Sequence, residues 1–180
     1  GLTTFREGLR KSMNLISVRM VQQDIAPAEQ VKQTAKRMGI NTDIRAVDAI
    51  ALGTSEVFPM EMVAAYSALS NKGVYSKPFA ITKIEDRYGN VIKDYFPERS
   101  EVLSEETAYL MTSMMQTVMD RGTGGSARWK YKFNRPAAGK TGTTQGWSDA
   151  WFVGFTPQIA AGCWFGVDDF RVPLGPGQDG

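Results

Sequence analysis

A lysine, two glycines and three threonines lie close together in the stretch 138–144, Ala-Gly-Lys-Thr-Gly-Thr-Thr. An apolar run follows and predicts a β-strand, in which Lys140 and Gly142 face one way and Thr141 and Thr143 the other. Gly142 leaves bare backbone beside Lys140, so an extended peptide could add to this edge while the ammonium holds an anionic group. The alternative is an ordinary strand that begins with Lys-Thr-Gly, because the triplet alone is weakly specific.

A second pair of polar side chains lies near the amino-terminal end, in Ser12-Met13-Asn14. On a continuous helix Ser12 and Asn14 would point in nearly opposite directions, but in an extended junction they would share a side. The segment 11–14 interrupts a helical pattern, which favours a junction. The alternative is that Ser12 or Asn14 caps a helix beginning near Leu15, and on this pair alone capping is the stronger interpretation.

The composition excludes several kinds of catalytic site. The 180 residues include no histidine and one cysteine, Cys163. Cys/His and Ser/His/Asp catalysis therefore lack their base, and few ligands remain for zinc. Cys163 lies in a predicted apolar strand, so we expect a buried, inert thiol. We expect no metal or other cofactor, and a formal net charge of +2 gives no reason to expect a nucleic-acid partner.

The elements that must position these residues fall into two groups. Apolar spacing and end signals predict helices over 3–11, 15–23, 28–38, about 59–70 and about 104–121, with a loop-rich tract over 41–57. Tyr88-Gly89-Asn90 predicts a hairpin, and antiparallel strands are predicted around 137–144, 149–155 and 159–167. The order predicts one α+β domain over 1–180, helical over about 1–128 and sheet-forming over about 136–168.

Taken together, these stretches resemble the transpeptidase domain of class A, or bifunctional, penicillin-binding proteins. That superfamily uses a Ser-x-x-Lys, a Ser-x-Asn and a Lys-Thr-Gly element. The second is similar to Ser12-Met13-Asn14 and the third to Lys140-Thr141-Gly142, and the stretches 9–15, 121–124 and 149–154 also look like class A members. The resemblance covers nearly the whole chain. It implies a β-lactamase/transpeptidase-like α+β fold, with an antiparallel sheet flanked by helices.

One element of the family is missing, because no serine in these 180 residues is followed three positions later by a lysine. In the family the nucleophilic serine precedes the Ser-x-Asn element. We therefore expect the C-terminal part of a transpeptidase domain, incomplete at both ends and inactive alone. The family's sheet has five strands, with the first beside the last. We accordingly expect the strand 159–167 to present an open apolar edge, covered by a companion chain or by an intermolecular strand contact.

The resemblance implies acyl transfer through a serine ester. The donor would be a peptidoglycan stem peptide ending in D-Ala-D-Ala, the acceptor an amine of a neighbouring stem, and β-lactams would bind at the same site. Ser12 would relay a proton towards the leaving amine, and Asn14 would hydrogen-bond the donor's amide. Lys140 would raise the positive potential, assist the relay and help to hold the donor's terminal carboxylate.

The same resemblance implies that Thr141, Gly142 and Thr143 bind substrate. Thr141 and Thr143 would offer hydroxyls to the donor's carboxylate. The N–H of Thr143 would form half of an oxyanion hole, whose other half is the nucleophile's own N–H.

Several alternatives share part of this pattern. A D,D-carboxypeptidase and a serine β-lactamase also use Lys-Thr-Gly but transfer the acyl group to water, and the neighbourhood Asp149-Ala150-Trp151-Phe152 favours the transpeptidase. A non-catalytic penicillin-binding-like module and an unrelated α+β domain with coincidental triplets are the other two. The chain has no signal-peptide pattern and no apolar run near the roughly 18 residues of a membrane span. Class A members are anchored upstream, so the resemblance implies the periplasmic face of the bacterial cytoplasmic membrane.

Overall fold

The computed structural model describes residues 2–169 and 171–175. Its first part contains four α-helices and a short 3-10 helix: α1 Phe5–Arg10, α2 Asn14–Gln22, α3 Ala28–Arg37, the 3-10 helix Asp48–Leu52, and α4 Pro59–Ser70. These confirm the predicted helices to within a few residues at their ends. The starts of α1 and α4 have local causes, because Thr4 accepts a hydrogen bond from the Glu7 N–H and Pro59 lacks an N–H that the helix does not need there.

Two small sheets follow α4. The hairpin of β2 (Lys83–Glu85) and β3 (Val91–Asp94) confirms the predicted turn, whose Asp86 carboxylate accepts the N–H groups of Tyr88 and Asn90. The ladder between β1 (Val74–Ser76) and β4 (Arg99–Glu101) encloses this hairpin and was not predicted. Each of its strands has three residues, too few to show a periodic pattern.

Two further helices lead to the main sheet. α5 (Glu105–Arg121) begins where predicted, with the Ser104 hydroxyl accepting the Thr107 N–H and two carboxylates in its first turn. The single turn α6 (Ser126–Trp129) was not predicted. α5 packs against α1, α4 and the first strand of the main sheet. Within the described residues, none of the helices combines the length and the apolar composition needed to cross a bilayer.

The main sheet has three antiparallel strands in the order β5 (Ala138–Thr143), β6 (Asp149–Phe155) and β7 (Ala160–Gly166). The ladder between β5 and β6 runs without interruption from Ala138 opposite Phe155 to Thr143 opposite Ala150. At the predicted tight turn between β6 and β7, the Thr156 N–H donates to the Ile159 carbonyl at 2.8 Å. These observations confirm the predicted α+β fold and its antiparallel sheet.

The core lies between the sheet and the long helices. One cluster joins Leu69 of α4, Met115 of α5, Ala138 of β5 and Phe155 of β6. A second cluster, Ile40, Ile44 and Ala65, packs the tract after α3 against α4. Because Ala138 and Phe155 are opposite each other in the ladder, the first cluster fixes the register of the strand that carries Lys140.

β7 is an edge strand in the described part of the chain, and the expectation of a buried Cys163 was wrong because this thiol is exposed. α4 covers one face of β7 at Gly162, where an added Cβ would lie 2.7 Å from Val63 Cγ2. The next residue, Cys163, therefore points to the opposite face, which is open to solvent. On the same strand Trp164 and Phe165 are 41% and 58% exposed.

Candidate active site

Ser12 lies in the turn that ends α1. Its N–H donates to the Leu9 carbonyl at 3.1 Å, and the Met13 N–H donates to the Gly8 carbonyl at 2.8 Å. These are the two bonds of a Schellman motif, and Ser12 has a φ of 52° at the position that glycine usually occupies. The turn therefore fixes the direction of the Ser12 side chain, with backbone strain of about 1 kcal/mol.

This turn differs from both sequence interpretations of Ser12 and Asn14. The helix break is confirmed, but Ser12 is left-handed and not extended. Met13 is the N-cap of α2 without a side-chain capping bond, and Asn14 is the exposed first residue of that helix. The Schellman turn ends α1 so close to α2 that a single extended residue, Met13, separates Ser12 from the first residue of α2.

Lys140 reaches this turn from β5. Its Nζ donates to Ser12 Oγ at 2.9 Å and to the Thr141 carbonyl at 2.7 Å. Residues 128 positions apart in the sequence therefore meet directly. The Lys140 side chain is partly buried, and this desolvation lowers the pKa of its ammonium below the ordinary value.

In the described part of the chain, no acidic side chain lies within ion-pair distance of Lys140. Among residues 2–169 and 171–175, the carboxylates that lie within ion-pair distance of a cation are paired with other lysines and arginines. A partly desolvated ammonium without an acidic partner attracts an incoming anion, since the ion pair would replace the lost hydration. The site is therefore electrostatically suited to a carboxylate.

A second contact joins β5 to the loop after α5. The Thr141 hydroxyl donates to Thr123 Oγ1 at 2.7 Å. Thr123 is exposed and Thr141 is partly buried, so the pair lies at the surface of the site. The loop itself is held against α1, because the Thr123 N–H donates to the Arg10 carbonyl at 3.3 Å.

The loop can approach α1 because Gly122 has no side chain. A Cβ at this residue would lie 2.5 Å from the Arg10 carbonyl oxygen and 2.8 Å from Val118 Cα. Both are backbone atoms, so neither could move aside without shifting a helix. Gly122 therefore permits the contact between the two chain segments that place Thr123 beside Thr141.

Arginine side chains of α1 hold the same two segments together. The Arg10 guanidinium donates to the Arg121 carbonyl at the end of α5, where a positive charge also complements the helix dipole. Its Nε and Nη2 donate to the Glu7 carboxylate at 2.8 and 2.5 Å, and these bonds are the largest cause that lowers the pKa of Glu7 to about 2. One turn earlier, Arg6 Nη1 donates to the Ser113 carbonyl at 2.6 Å. We call the α1–α5 contacts of Arg6 and Arg10, together with the Glu7 carboxylate that holds the Arg10 guanidinium within α1, the arginine seam.

The remaining predicted residues lie on β5 and at the start of α2. Gly142 is opposite Trp151, and a Cβ added there would meet only Trp151 Cβ, at an ordinary 3.4 Å. The free fold therefore does not require a glycine at this residue. Thr143 is the exposed last residue of β5, opposite Ala150, and Asn14 lies two residues after Ser12.

Sequence reasoning assigned no role to Thr123, Gly122 or Arg10. The stretch 121–124 was predicted as the glycine-rich end of the long helix and contributed to the likeness to the family. The available signal for Thr123 was its position between two glycines. Glycines permit another chain segment to approach closely, and the threonine hydroxyl is then the side-chain group that this segment meets. The role of Arg10 had no signal, because it depends on how α1 packs against the end of α5.

The geometry supports two chemical operations. Lys140 donates to Ser12 Oγ, so Ser12 can pass its own proton outward and receive another from the ammonium, which is the arrangement of a proton relay. The Lys140 ammonium can bind an anion, and so can the pair of hydroxyls that the next residue of β5, Thr141, forms with Thr123. Both operations use one small surface formed by the end of α1, the loop after α5 and the end of β5.

Comparisons with known proteins were made by sequence and by structure. A family model described as the penicillin binding protein transpeptidase domain matches residues 1–167. Penicillin-binding protein 1A of Aquifex aeolicus (strain VF5) is 39% identical over 168 residues, which are 93% of this chain and 22% of that protein. Penicillin-binding protein 2D of Bacillus subtilis (strain 168) is 37% identical over 141 residues, 76% of this chain and 20% of that protein. The chain thus spans about a fifth of the length of these relatives.

Solved structures give a matching result. Penicillin-binding protein 1A from Haemophilus influenzae superposes with a TM-score of 0.90 and 26% identity, covering 99% of this chain and 32% of that one. The PonA1 protein from Mycobacterium tuberculosis, solved in complex with penicillin V, has a TM-score of 0.81 and 24% identity, covering 97% of this chain and 50% of that one. The second likeness shows the fold alone.

Proposed function

This chain belongs to the penicillin-binding protein transpeptidase domain family, and from that premise we propose that it forms part of a D,D-transpeptidase site that crosslinks peptidoglycan stem peptides. The reaction would be acyl transfer from a stem peptide ending in D-Ala-D-Ala, through a serine ester, to an amine of a neighbouring stem. β-Lactams would bind at the same site, a proposal that the penicillin V complex of PonA1 supports.

The observation that carries the proposal is the 2.9 Å hydrogen bond from Lys140 Nζ to Ser12 Oγ. A chain without histidine needs another group to move the proton of a reacting hydroxyl or amine. Lys140, with a pKa lowered by desolvation, releases a proton more readily than a solvated lysine. In our proposal Ser12 receives that proton and passes its own to the leaving amine.

The other site residues hold the donor peptide. Asn14 would hydrogen-bond its amide, and Lys140 and Thr141 would bind its terminal carboxylate. Thr143 would add its hydroxyl to the carboxylate and its N–H to an oxyanion hole. Gly142 would let the peptide backbone approach β5. The free fold has room for a Cβ at this residue, so the glycine is better explained by the approach of a ligand than by packing.

We propose that the acylated serine lies outside these 180 residues, because none of their serines has a lysine three positions later. We therefore propose that the 180-residue chain alone forms no covalent adduct with penicillin. A fluorescent penicillin followed on a denaturing gel tests this. We expect no labelling of the chain alone, and labelling of a form of the protein, or of a mixture with a companion polypeptide, that contains a Ser-x-x-Lys element. A stable adduct on the chain alone would refute the assignment of the nucleophile.

Substitution of Ser12 tests the proton relay, in the form of the protein that contains a Ser-x-x-Lys element and is labelled by penicillin. We expect Ser12→Ala to slow acylation by about 10²-fold or more, because general acid–base catalysis contributes that much. Ser17→Ala is the matched control, since Ser17 is exposed on α2 and should leave the rate unchanged. Equal rates for wild type and Ser12→Ala would remove Ser12 from the mechanism.

The acceptor separates a transpeptidase from a D,D-carboxypeptidase or a β-lactamase. The form that contains a Ser-x-x-Lys element is given a D-Ala-D-Ala donor and an added amine of the stem-peptide type. We expect it to make the amide product in preference to the hydrolysed one. Hydrolysis that the amine does not change would identify water as the acceptor. The fold and the site geometry would then stand, but the reaction would be that of a hydrolase.

The open edge of β7 supports a proposal about assembly. Among the described residues no strand pairs with its outer edge, and this edge and the exposed Trp164 and Phe165 favour pairing with a strand of another segment or of a companion chain. Light scattering after gel filtration should show association of the chain alone, weakened by Phe165→Lys. A monodisperse monomer at high concentration would contradict this.

From the relatives of the chain, we propose that the site operates at the periplasmic face of the cytoplasmic membrane, anchored through other residues of the parent protein.

A further inference from the structure

Thr123 and Thr141 form a two-hydroxyl unit at the edge of the site. The Thr141 hydroxyl donates to Thr123 Oγ1 at 2.7 Å, so the oxygen of Thr123 is the acceptor. A threonine hydroxyl can also donate one bond, and Thr123 is exposed, so its own proton can turn towards a ligand or back towards Thr141. The unit can therefore reverse its direction by rotation of two hydroxyl groups, without moving the backbone.

The fold does not need this hydrogen bond to hold the loop. The Thr123 N–H already donates to the Arg10 carbonyl, and the Arg10 guanidinium donates to the Arg121 carbonyl. Both contacts use the backbone of the loop, so they would persist without the Thr123 hydroxyl. Since the hydroxyl is exposed and adds little to this anchoring, its position beside Thr141 points to a role with the ligand.

We propose that Thr123 is a positioning residue for the carboxylate subsite, acting through Thr141; this inference rests on the proposed function. In the free site Thr141 donates to Thr123. When the donor's terminal carboxylate arrives next to Lys140, the Thr141 proton turns to the carboxylate, and Thr123 donates to the Thr141 oxygen in its place. A hydroxyl that accepts a hydrogen bond is a better donor, so Thr123 strengthens the bond from Thr141 to the anion.

The proposal makes a prediction about selectivity for charge. The role of Thr123 concerns the carboxylate of the ligand, so removal of its hydroxyl should weaken binding of an anionic peptide and spare a neutral analogue. A hydroxyl with a purely structural role would affect both ligands equally. The size of the effect should be about 3- to 10-fold in Kd, the range of a single net hydrogen bond.

The experiment compares N-acetyl-D-Ala-D-Ala with its C-terminal amide, each titrated into the full chain and followed by NMR chemical shifts. The variants are Thr123→Val, which keeps the shape and removes the hydroxyl, and Thr123→Ser, which restores it. Thr117→Val is the matched control, because the Thr117 hydroxyl donates within its own helix α5, to the Met114 carbonyl. We expect Thr123→Val to weaken the carboxylate ligand about 3- to 10-fold and leave the amide ligand unchanged, with Thr123→Ser and Thr117→Val close to wild type.

Each other outcome has a distinct meaning. Wild-type affinity of Thr123→Val for the carboxylate ligand would overturn the inference, and so would an equal loss for both ligands. In either case the proposed function would survive, provided that the wild type prefers the carboxylate to the amide. Failure of the wild type to show that preference would instead overturn the carboxylate subsite itself, and with it the basis of the proposed function.

Discussion

The two halves of β5 differ in almost every physical respect. At its start, Ala138 is 2% exposed and packs with Leu69, Met115 and Phe155 in the main core cluster. Two residues later, Lys140 leaves that core and reaches the turn at Ser12 with a charged group. One uninterrupted ladder with β6 connects the two halves. The apolar half therefore fixes the position of the strand, and the polar half presents a partly buried ammonium that has no acidic partner within ion-pair distance among the described residues.

This division explains how the fold can hold a partly desolvated ammonium. A site with perturbed groups is unfavourable in itself, so its position must be set by interactions elsewhere. Here the core cluster sets the strand, and the arginine seam sets the turn and the loop that face it. The comparison predicts that changes in the apolar half act on stability, whereas changes in the polar half act on binding.

The largest expected effect is on stability, from Phe155→Ala. Phe155 is 5% exposed beside Ala138 and Met115, and truncation of a buried phenylalanine costs about 3–5 kcal/mol. Chemical denaturation of the full chain measures this. Phe96→Ala is the matched control, because Phe96 is 80% exposed and should change stability by at most about 0.5 kcal/mol. Similar values for the two variants would show that the start of β5 is not the anchor of the strand.

Lys140→Met should show the opposite pattern. It removes the ammonium that donates to Ser12 and Thr141, and we expect N-acetyl-D-Ala-D-Ala to bind about 10- to 100-fold more weakly. Stability should change by no more than about 1 kcal/mol, since the loss of two hydrogen bonds is offset by relief of desolvation. Lys36→Met, at an exposed residue of α3, should alter neither quantity. Global unfolding of Lys140→Met would show that the polar half of β5 also determines stability, which contradicts the division between the two halves.

Two glycines sharpen the comparison, because only one of them is required by the fold. We expect Gly122→Ala to destabilise the chain by about 1–3 kcal/mol, since its Cβ would lie 2.5 Å from the Arg10 carbonyl oxygen. Gly142→Ala should leave stability within about 0.5 kcal/mol, because its Cβ finds ordinary contact at 3.4 Å. It should instead weaken binding of an extended peptide to β5. Thermal unfolding and peptide titration of both variants measure the two effects, and equal destabilisation would contradict this reading of the site.

The sequence predicted the elements of this comparison better than their junctions. Helices with apolar spacing and the three strands were found because periodicity and glycine or proline signals are local. The conformation of Ser12 was missed, because a left-handed serine in a Schellman turn has no local signature. The exposure of Cys163 was missed for a different reason, since composition indicates an apolar strand but not which of its faces is covered.

The contact between Lys140 and Ser12 illustrates the limit of local reasoning. The residue types suggested a shared site only through likeness to a family, because nothing within either short motif encodes their distance. The likeness also covers Arg10, in the stretch 9–15, but it gave no indication of the seam that Arg10 forms with Arg6 and the end of α5. The seam depends on the packing of α1 along α5, which is a property of the whole fold.

The smallest expected effect concerns the seam and its dependence on pH. Hydrogen bonds from Arg10, assisted by Lys11, lower the pKa of Glu7 to about 2 from an ordinary 4.5. The folded state therefore favours the charged carboxylate, so this contribution to stability is complete above pH 4.5 and is lost as the pH falls towards 2. We expect wild type to be more stable than Glu7→Gln at pH 6, with the difference shrinking across that interval. Arg10→Met should remove the same pH dependence, because it removes the main cause. A stability difference between wild type and Glu7→Gln that stays constant from pH 6 to pH 2 would show that the charge of Glu7 does not contribute to the seam. The alignment of the polar half of β5 with Ser12 would then need another explanation.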